Sequence, residues 1–428
     1  MVAVSVIVPE PPQKTPWYRL ATVDITPLRR HRDFRLLFIG RMVSFLGNMI
    51  SAVAFPYQVY QLTHSVFIVG LLELVAFGSV LAFAFLGGAL ADASDRRRMV
   101  LISEAALTLC SVALVINAAI PHPQVWVLFV VCAGWGGLEA LQRPSLDAML
   151  PRLVDRNELT AAAALGSLRG TMGQIAGPAL GGVLIAVFGL PVTYVVDVAT
   201  YFVGLTCLYL MHAVPPPADA ERPSVRRVLE GLRYARSRPE LIGTYAVDII
   251  AMFFGMPIAL FPAIAASLGG AKVLGLMYAA PAVGAFLFSA TSGWTSRIHR
   301  HGMGVIVAAT IWGFAIVAFG LVPGLVAALV FLAIAGAADM MSGVFRSTIW
   351  NQTIPDSLRG RLASIEMLSY SSGPALGNFE AGVVASLFSI RVSIVSGGVL
   401  CVVGCLAAAA ALPAFRAYDA RRPAGTSV

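Results

Sequence analysis

The chain reads as an all-α integral membrane protein of about twelve transmembrane helices in two six-helix halves, and three observations predict it. Of its 428 residues 58% are hydrophobic and 12% charged, with a mean hydropathy of +0.81; a soluble domain carries about 25% charged and 45–50% apolar residues. Apolar runs of about twenty residues, the length that crosses a hydrocarbon core, recur along the chain. A run rich in glycine, Gly173-Gln-Ile-Ala-Gly177-Pro178-Ala-Leu-Gly181-Gly182, returns as Gly373-Pro374-Ala-Leu-Gly377-Asn378 two hundred residues later. Small residues and a proline inside an apolar helix mark a bend where a neighbouring backbone comes close. Two such helices in corresponding places mark a duplicated carrier or pore.

The expected spans of the first half are 34–61, 66–91, 99–119, 124–149, 158–188 and 191–212. Those of the second are 241–266, 273–296, 303–322, 325–351, 360–389 and 392–412. The expected organisation is an N-terminal tail (1–33), a first half (34–212), a linker (213–240), a second half (241–412) and a C-terminal tail (413–428). The linker opens on Pro215-Pro216-Pro217, and Ser224 to Arg238 places Val225, Val228, Leu229 and Leu232 at helical spacing among arginines. That is a short basic amphipathic helix, suited to a membrane surface or to the floor of the bundle.

Orientation follows from the basic residues. Of the 30 Lys and Arg, 24 fall on the side that both termini share; the opposite loops carry only Lys272 and Arg391, and Arg41, Arg143, Arg169 and Arg346 lie within spans. Both termini are expected in the cytoplasm of a bacterial cell with the chain in its inner membrane, and the net charge of +8 answers to the anionic inner leaflet rather than to nucleic acid. The five cysteines all sit in apolar segments, so neither a disulfide framework nor a metal site is expected. The only lysines are Lys14 and Lys272 and neither follows a glycine-rich loop, which excludes a P-loop and ATP hydrolysis by this chain. No convergent catalytic set is present, so the chain is not expected to be an enzyme.

A charge at the bilayer centre is costly, so embedded ionisable residues need a reason. Glu139, Arg169 and Asp339 lie near mid-span; Arg41, Glu104, Asp248 and Glu366 sit one or two turns from the terminal side; Arg143, Asp147 and Arg346 lie toward it; Glu73, Asp197 and Glu380 lie in the outer half. A proton carrier must be a carboxyl, because every histidine is at a span end or in a loop. Glu73, Glu139 and Asp248 are the candidates for proton coupling, weighed against structural ion pairs. Arg41, Arg143, Arg169, Asp339 and Arg346 are the candidate cavity charges, and Trp135, flanked by Gly134, Gly136 and Gly137, is the candidate aromatic contact for planar cargo.

Twelve spans, cytoplasmic termini and a basic central loop resemble the major facilitator superfamily. The resemblance sharpens after the second span, where Gly88-Ala-Leu90-Ala-Asp92-Ala-Ser-Asp95-Arg96-Arg97-Arg98 is similar to that superfamily's cytoplasmic loop motif, with Ala93 and Asp95 replacing the usual Arg and Gly. The resemblance implies a gate in which Asp92 pairs with a helix N-terminus and nearby arginines, Gly88, Leu90, Arg96 and Arg97 completing it. The run through Gly173, Gly177, Pro178, Gly181 and Gly182 resembles the antiporter motif, which implies export; a generic packing face is the alternative. His31-Arg-Asp-Phe34-Arg35, Gln61-Leu-Thr63-His64-Ser65, Leu229-Glu-Gly231-Leu-Arg233 and Tyr278-Ala-Ala-Pro281 resemble the enterobactin-exporter branch of bacterial siderophore and drug efflux proteins. Together these imply a monomeric exporter of a siderophore-like or lipophilic molecule by proton antiport and alternating access, with no cofactor beyond the proton gradient. A metabolite importer of the same fold and a non-transporting membrane sensor are the alternatives.

Overall fold

The computed structural model describes residues 24–93, 95–214, 233–355 and 358–421; for 84–93, 359–361, 363–365 and 367–370 it describes the backbone alone. The described residues are helical throughout, with no strand among them. A one-turn helix, Thr26–Arg30, leads into α1 (Arg32–Thr63), α2 (Val66–Ala93), α3 (Arg96–Ala119) and α4 (Val125–Leu153). Next comes α5 (Leu159–Tyr209), 51 residues and so about 77 Å of helix at 1.5 Å per residue, enough to cross a core of about 30 Å twice. Its fold-back is at Gly189, the one internal residue with non-helical backbone (φ 78°), just before Pro191. Only glycine adopts that conformation without strain. Residues 159–188 and 190–209 therefore serve as the fifth and sixth crossings.

In the second half come α6 (Pro239–Phe254), α7 (Phe261–Leu268), α8 (Ala271–Thr291), α9 (His301–Leu321), α10 (Leu325–Thr353), α11 (Arg359–Leu387) and α12 (Ile390–Ala411). Ten helical segments among the described residues are long and apolar enough to cross a membrane, α5 counting once. With its second arm and with α11, helix fills all twelve expected segments.

The seventh expected span, 241–266, is not one helix. It breaks between Phe254 and Phe261, where Gly255, Pro257 and Pro262 interrupt the hydrogen-bond ladder. Two side chains satisfy the backbone groups this frees. Asn378 Oδ1 accepts from Ala259 N–H at 3.0 Å, and Trp312 Nε1 donates to the Gly255 carbonyl at 3.1 Å. Broken helices survive in a bilayer only with such partners.

The first residues of the C-terminal tail pack on the bundle. Pro413–Arg416 forms a helical turn, Phe415 is fully buried against α6 at Gly243, and the Tyr418 hydroxyl donates to Gln352 at 3.0 Å. The amphipathic helix expected in the linker falls mostly on 215–232, outside the described residues.

Within each half the glycine-rich helix packs on the half's first span: Gly173, Gly177 and Gly181 face Phe45, Met49 and Ile50 of α1, while Gly373 and Gly377 face Met252 and Phe253 of α6. The halves meet through α5 on α8 and α2 on α11. Both crossings are glycine on glycine. A Cβ on Gly182 would lie 2.9 Å from Gly275 Cα, and one on Gly382 would lie 2.8 Å from the Val66 carbonyl and 3.5 Å from Gly70 Cα. Phe67 and Phe379 seal the second crossing, ring centroids 5.9 Å apart.

The residues of these two crossings lie at the end of the bundle opposite the termini, hereafter the far end. Toward the terminal end of α2 and α5 and just past α8, a Cβ added at Gly78, Gly166, Gly170 or Gly293 would meet no atom within 4 Å. Among the described residues the halves thus touch at the far end and part toward the termini, leaving a cleft.

Gly182→Val or Gly382→Val should wedge a crossing apart, at an overpacking cost of about 1–3 kcal/mol. Disulfide trapping between cysteines placed at Phe67 and Phe379, with the native cysteines replaced, should fall several-fold in either variant. Undiminished trapping would show that the crossings do not hold the far end closed.

Candidate functional site

Insertion scales set the cost of an uncompensated charge at a helix centre at about 2.5–3.5 kcal/mol. Each embedded ionisable group must therefore be paired, wetted or neutral, and the structure sorts them accordingly. In the first half Arg41 of α1 reaches Glu104 of α3 at 3.2 Å, the carboxylate fully buried and the guanidinium mostly so. Asn48, two turns along α1, donates to Glu139 Oε1 of α4 at 2.7 Å, and this acid is exposed. Arg41 and Arg143 stand within electrostatic reach of Glu139; Arg143, Arg169 and Arg41 surround Asp147. Arg169 also lies over the Phe45 ring, 5.9 Å from its centroid. An exposed acid at mid-helix flanked by two arginines faces water in the cleft, not lipid.

Trp135 is one turn from Glu139 on α4. Its indole donates to the Tyr201 hydroxyl at 3.2 Å and its ring meets Phe55 edge-on at 6.2 Å. Trp135 is thus pinned, half-buried, at the wall of the charged region. Glu73 of α2 is half-buried, with Cys132 of α4 and Tyr278 of α8 in its electrostatic neighbourhood. It stands apart from the arginine cluster.

The second half is organised differently. Arg346 of α10 is 2% exposed and forms an ion pair with Asp248 of α6, with Asp339 3.7 Å away on the opposite side. Arg346 also lies over the Trp350 ring, whose indole donates to Thr244 at 2.9 Å. Arg346, expected as a cavity charge, is therefore a core residue, paired with Asp248 across the α6–α10 contact and near Asp339 of its own helix. Asp248 is 5% exposed and held in that pair. Asp339 is 46% exposed at mid-helix and remains the wetted member. Asp248, Asp339 and Trp312 line a cavity of about 10 Å³, room for one water. A larger cavity, about 630 Å³, opens at the far end of the second half between Ile264, Phe319 and Ile394, with Arg391 as its only charge.

In the loop motif, the side chains of Gly88-to-Asp92 lie outside the described residues. Asp95 caps α3, accepting from Arg98 N–H at 2.8 Å, which gives its presence in place of glycine a local reason. Arg96 donates to the Ala148 carbonyl at 3.0 Å; Arg97 donates to Leu208 at 2.7 Å and to the Tyr209 carbonyl. Both arginines thus cap the terminal ends of α4 and α5 within their own half. On the same face His31 meets Glu158 at 2.8 Å and Asp155 at 3.9 Å. This is the one trio of metal-ligand types drawn together among the described residues, and Arg30, 3.1 Å from Glu158, makes it an ion-pair clasp for the start of α1.

Among the embedded acids left without a role by the sequence, one stands out. Asp197, in the second arm of α5, is fully buried and accepts from Ser111 of α3 at 2.8 Å. The signal was present as serines at one face of α1 and α3, but polar residues on three separated segments reveal a shared partner only once the helices are packed.

Twelve helical segments in two halves, meeting at glycine crossings and carrying wetted carboxylates at mid-bilayer, define a major facilitator transporter. The fold is shared with solved structures. A bacterial homologue of the human lysosomal transporter Spinster, inward-facing and unoccupied, superposes with a TM-score of 0.71 at 17% identity, covering 91% of this chain and 98% of that one. A mutant of the nucleoside transporter NupG gives 0.72 at 14% identity, covering 88% and 99%. Residues 22–424 match the transmembrane secretion effector family, and the chain belongs to it. Over 90% of its length the chain is 29% identical to the enterobactin exporter EntS of Citrobacter koseri and 28% identical to those of Shigella boydii and Escherichia coli, covering 93% of each. These relatives are transporters and not enzymes, and the chain is a multi-pass membrane transporter.

Arg346→Met removes the guanidinium from two carboxylates and should destabilise the protein by about 3–5 kcal/mol, as breaking a buried pair does. Adding Asp248→Asn should recover part of that loss, read as thermal unfolding in detergent. A single variant as stable as the wild type would contradict the pairing.

Proposed function

We propose that the protein exports a catecholate siderophore or a similar planar, partly anionic molecule, exchanging it for protons by alternating access. The observation that carries this reading is the exposed Glu139 at mid-bilayer, held by Asn48 and flanked by Arg41 and Arg143, with Arg169 beside the neighbouring Asp147, at the wall of a cleft that is closed at the far end. The arginines suit catecholate oxygens, Trp135 suits an aromatic ring, and a wetted carboxylate can take a proton when the anion leaves. Kinship with enterobactin exporters supports the cargo class and the direction. The arginine bias toward the terminal side supports cytoplasmic termini, so the cleft faces the cytoplasm as an exporter's loading state requires.

The packing supports alternating access. Closure rests on two backbone crossings of small residues, which separate without tearing interdigitated side chains, and the two halves can rock about the bound cargo. Neither ATP nor an organic cofactor enters this cycle, and one chain suffices for it.

The test uses inside-out vesicles, acid inside, given enterobactin beside a lipophilic dye. Enterobactin should accumulate, a protonophore should abolish the accumulation, and Glu139→Gln should lower it about tenfold or more. Dye uptake alone would make the protein a drug pump, and uptake of neither would sink the export reading.

A further inference from the structure

A file of polar residues, most of them buried, lies inside the first half, away from the cleft, between α1, α3 and the second arm of α5. It starts at Arg41–Glu104 (3.2 Å), and beside it Thr108 donates to the Glu104 carbonyl at 2.8 Å. It continues through Ser44, which donates to the Thr200 carbonyl at 3.5 Å, and Thr200, which donates to the Asp197 carbonyl at 2.7 Å. Asp197 follows, taking Ser111 at 2.8 Å, and the file ends where Tyr194 donates to Gln58 at 2.8 Å. From Arg41 to Gln58 along α1 this covers about 25 Å, most of the hydrocarbon thickness. Every residue of it except Arg41 and Thr200 is fully or almost fully buried.

The file holds two carboxyls and one cation. Arg41 is paired to Glu104, whereas Asp197 has only a neutral hydroxyl, and its Oδ1 has no hydrogen-bond partner among the described residues. The buried hydroxyl of Ser51 on α1 also faces this carboxyl. The titratable groups around Asp197 are Glu104 on α3, Arg41 on α1 through Glu104, Tyr194 and Tyr201 on its own helix, and Glu139 on α4 beyond Tyr201. A charge count of one cation against two acids leaves the file neutral only when one acid carries a proton.

We propose that Asp197 is the proton carrier of the first half and that Tyr201 is the positioning residue that links it to Glu139 in the cleft. Tyr201 is one turn from Asp197, 2% exposed, and its hydroxyl accepts from Trp135 at 3.2 Å, one turn from Glu139 on α4. Both the buried acid and the wetted one stand within electrostatic reach of that hydroxyl. The step moves one proton: the Asp197 carboxylic acid becomes carboxylate as the Glu139 carboxylate becomes the acid, and Tyr201 ends as it began. Arg41 lies within reach of both Glu104 and Glu139, so cargo drawing it toward the cleft would change the field on the file. This inference rests on the antiport reading but predicts a protonated group whether or not transport is coupled.

The full-length protein in lipid nanodiscs would be followed by infrared difference spectroscopy through a pH titration, reading the protonated-carboxyl stretch. Proteoliposomes would report enterobactin flux, driven by a pH gradient or exchanging at equal pH. Asp197→Asn should remove a slowly exchanging carboxyl band and lower gradient-driven flux about tenfold, with equal-pH exchange held within about twofold. Asp197→Glu should restore both band and flux, and Tyr201→Phe should slow gradient-driven flux while leaving the band. A band that persists in Asp197→Asn, or gradient-driven flux unchanged by it, would overturn the proposal. Wild-type flux indifferent to pH would instead overturn the antiport reading, with the infrared band still deciding where the buried proton sits.

Discussion

The low dielectric of the bilayer is the constraint on which the rest of this structure depends. Any ionisable side chain at mid-membrane must be neutralised by a partner, by water or by a proton. All three solutions occur here. Arg346 with Asp248 and Arg41 with Glu104 are paired. Glu139 and Asp339 are wetted. Asp197 has neither cation nor solvent, which leaves the proton. A transporter needs the last two kinds, because only groups whose charge can change respond to what passes.

The halves share ancestry of form but divide the labour. Each carries a glycine-rich helix that packs on its own first span and crosses a glycine of the other half, Gly182 on Gly275 and Gly382 on Gly70. The symmetry ends at the charges. The second half locks its arginine between two acids in a tight core, whereas the first spreads arginines around an exposed glutamate. The first half therefore has the adjustable electrostatics and the second the rigid frame against which it moves.

Much of the fold was legible in the sequence because hydrophobic length alone finds membrane helices, and Gly189 before Pro191 marks the fold-back of α5. The break at Gly255 to Leu260 was written in Gly255, Pro257 and Pro262, yet its stability depends on Asn378 and Trp312, which only packing brings near. The site was half legible. Glu139, Arg41, Arg143, Arg169 and Trp135 are drawn together because they share faces of α1, α4 and the first arm of α5. Depth along a helix could not show that Arg346 turns into the core, nor that Ser111 and Asp197, eighty-six residues apart, meet at 2.8 Å. Side-chain direction about a helix axis is set by its neighbours, and those are tertiary facts.

Cargo and proton are linked through one set of charges in this account, so binding one must displace the other. The direct measurement is the proton balance of enterobactin binding to the purified protein in unbuffered solution, read with an indicator dye across pH and set against Asp197→Asn. The account predicts that the wild type releases about one proton more per siderophore bound than the variant, as linkage between shared charges requires. Equal release by the two proteins across the whole pH range would contradict it.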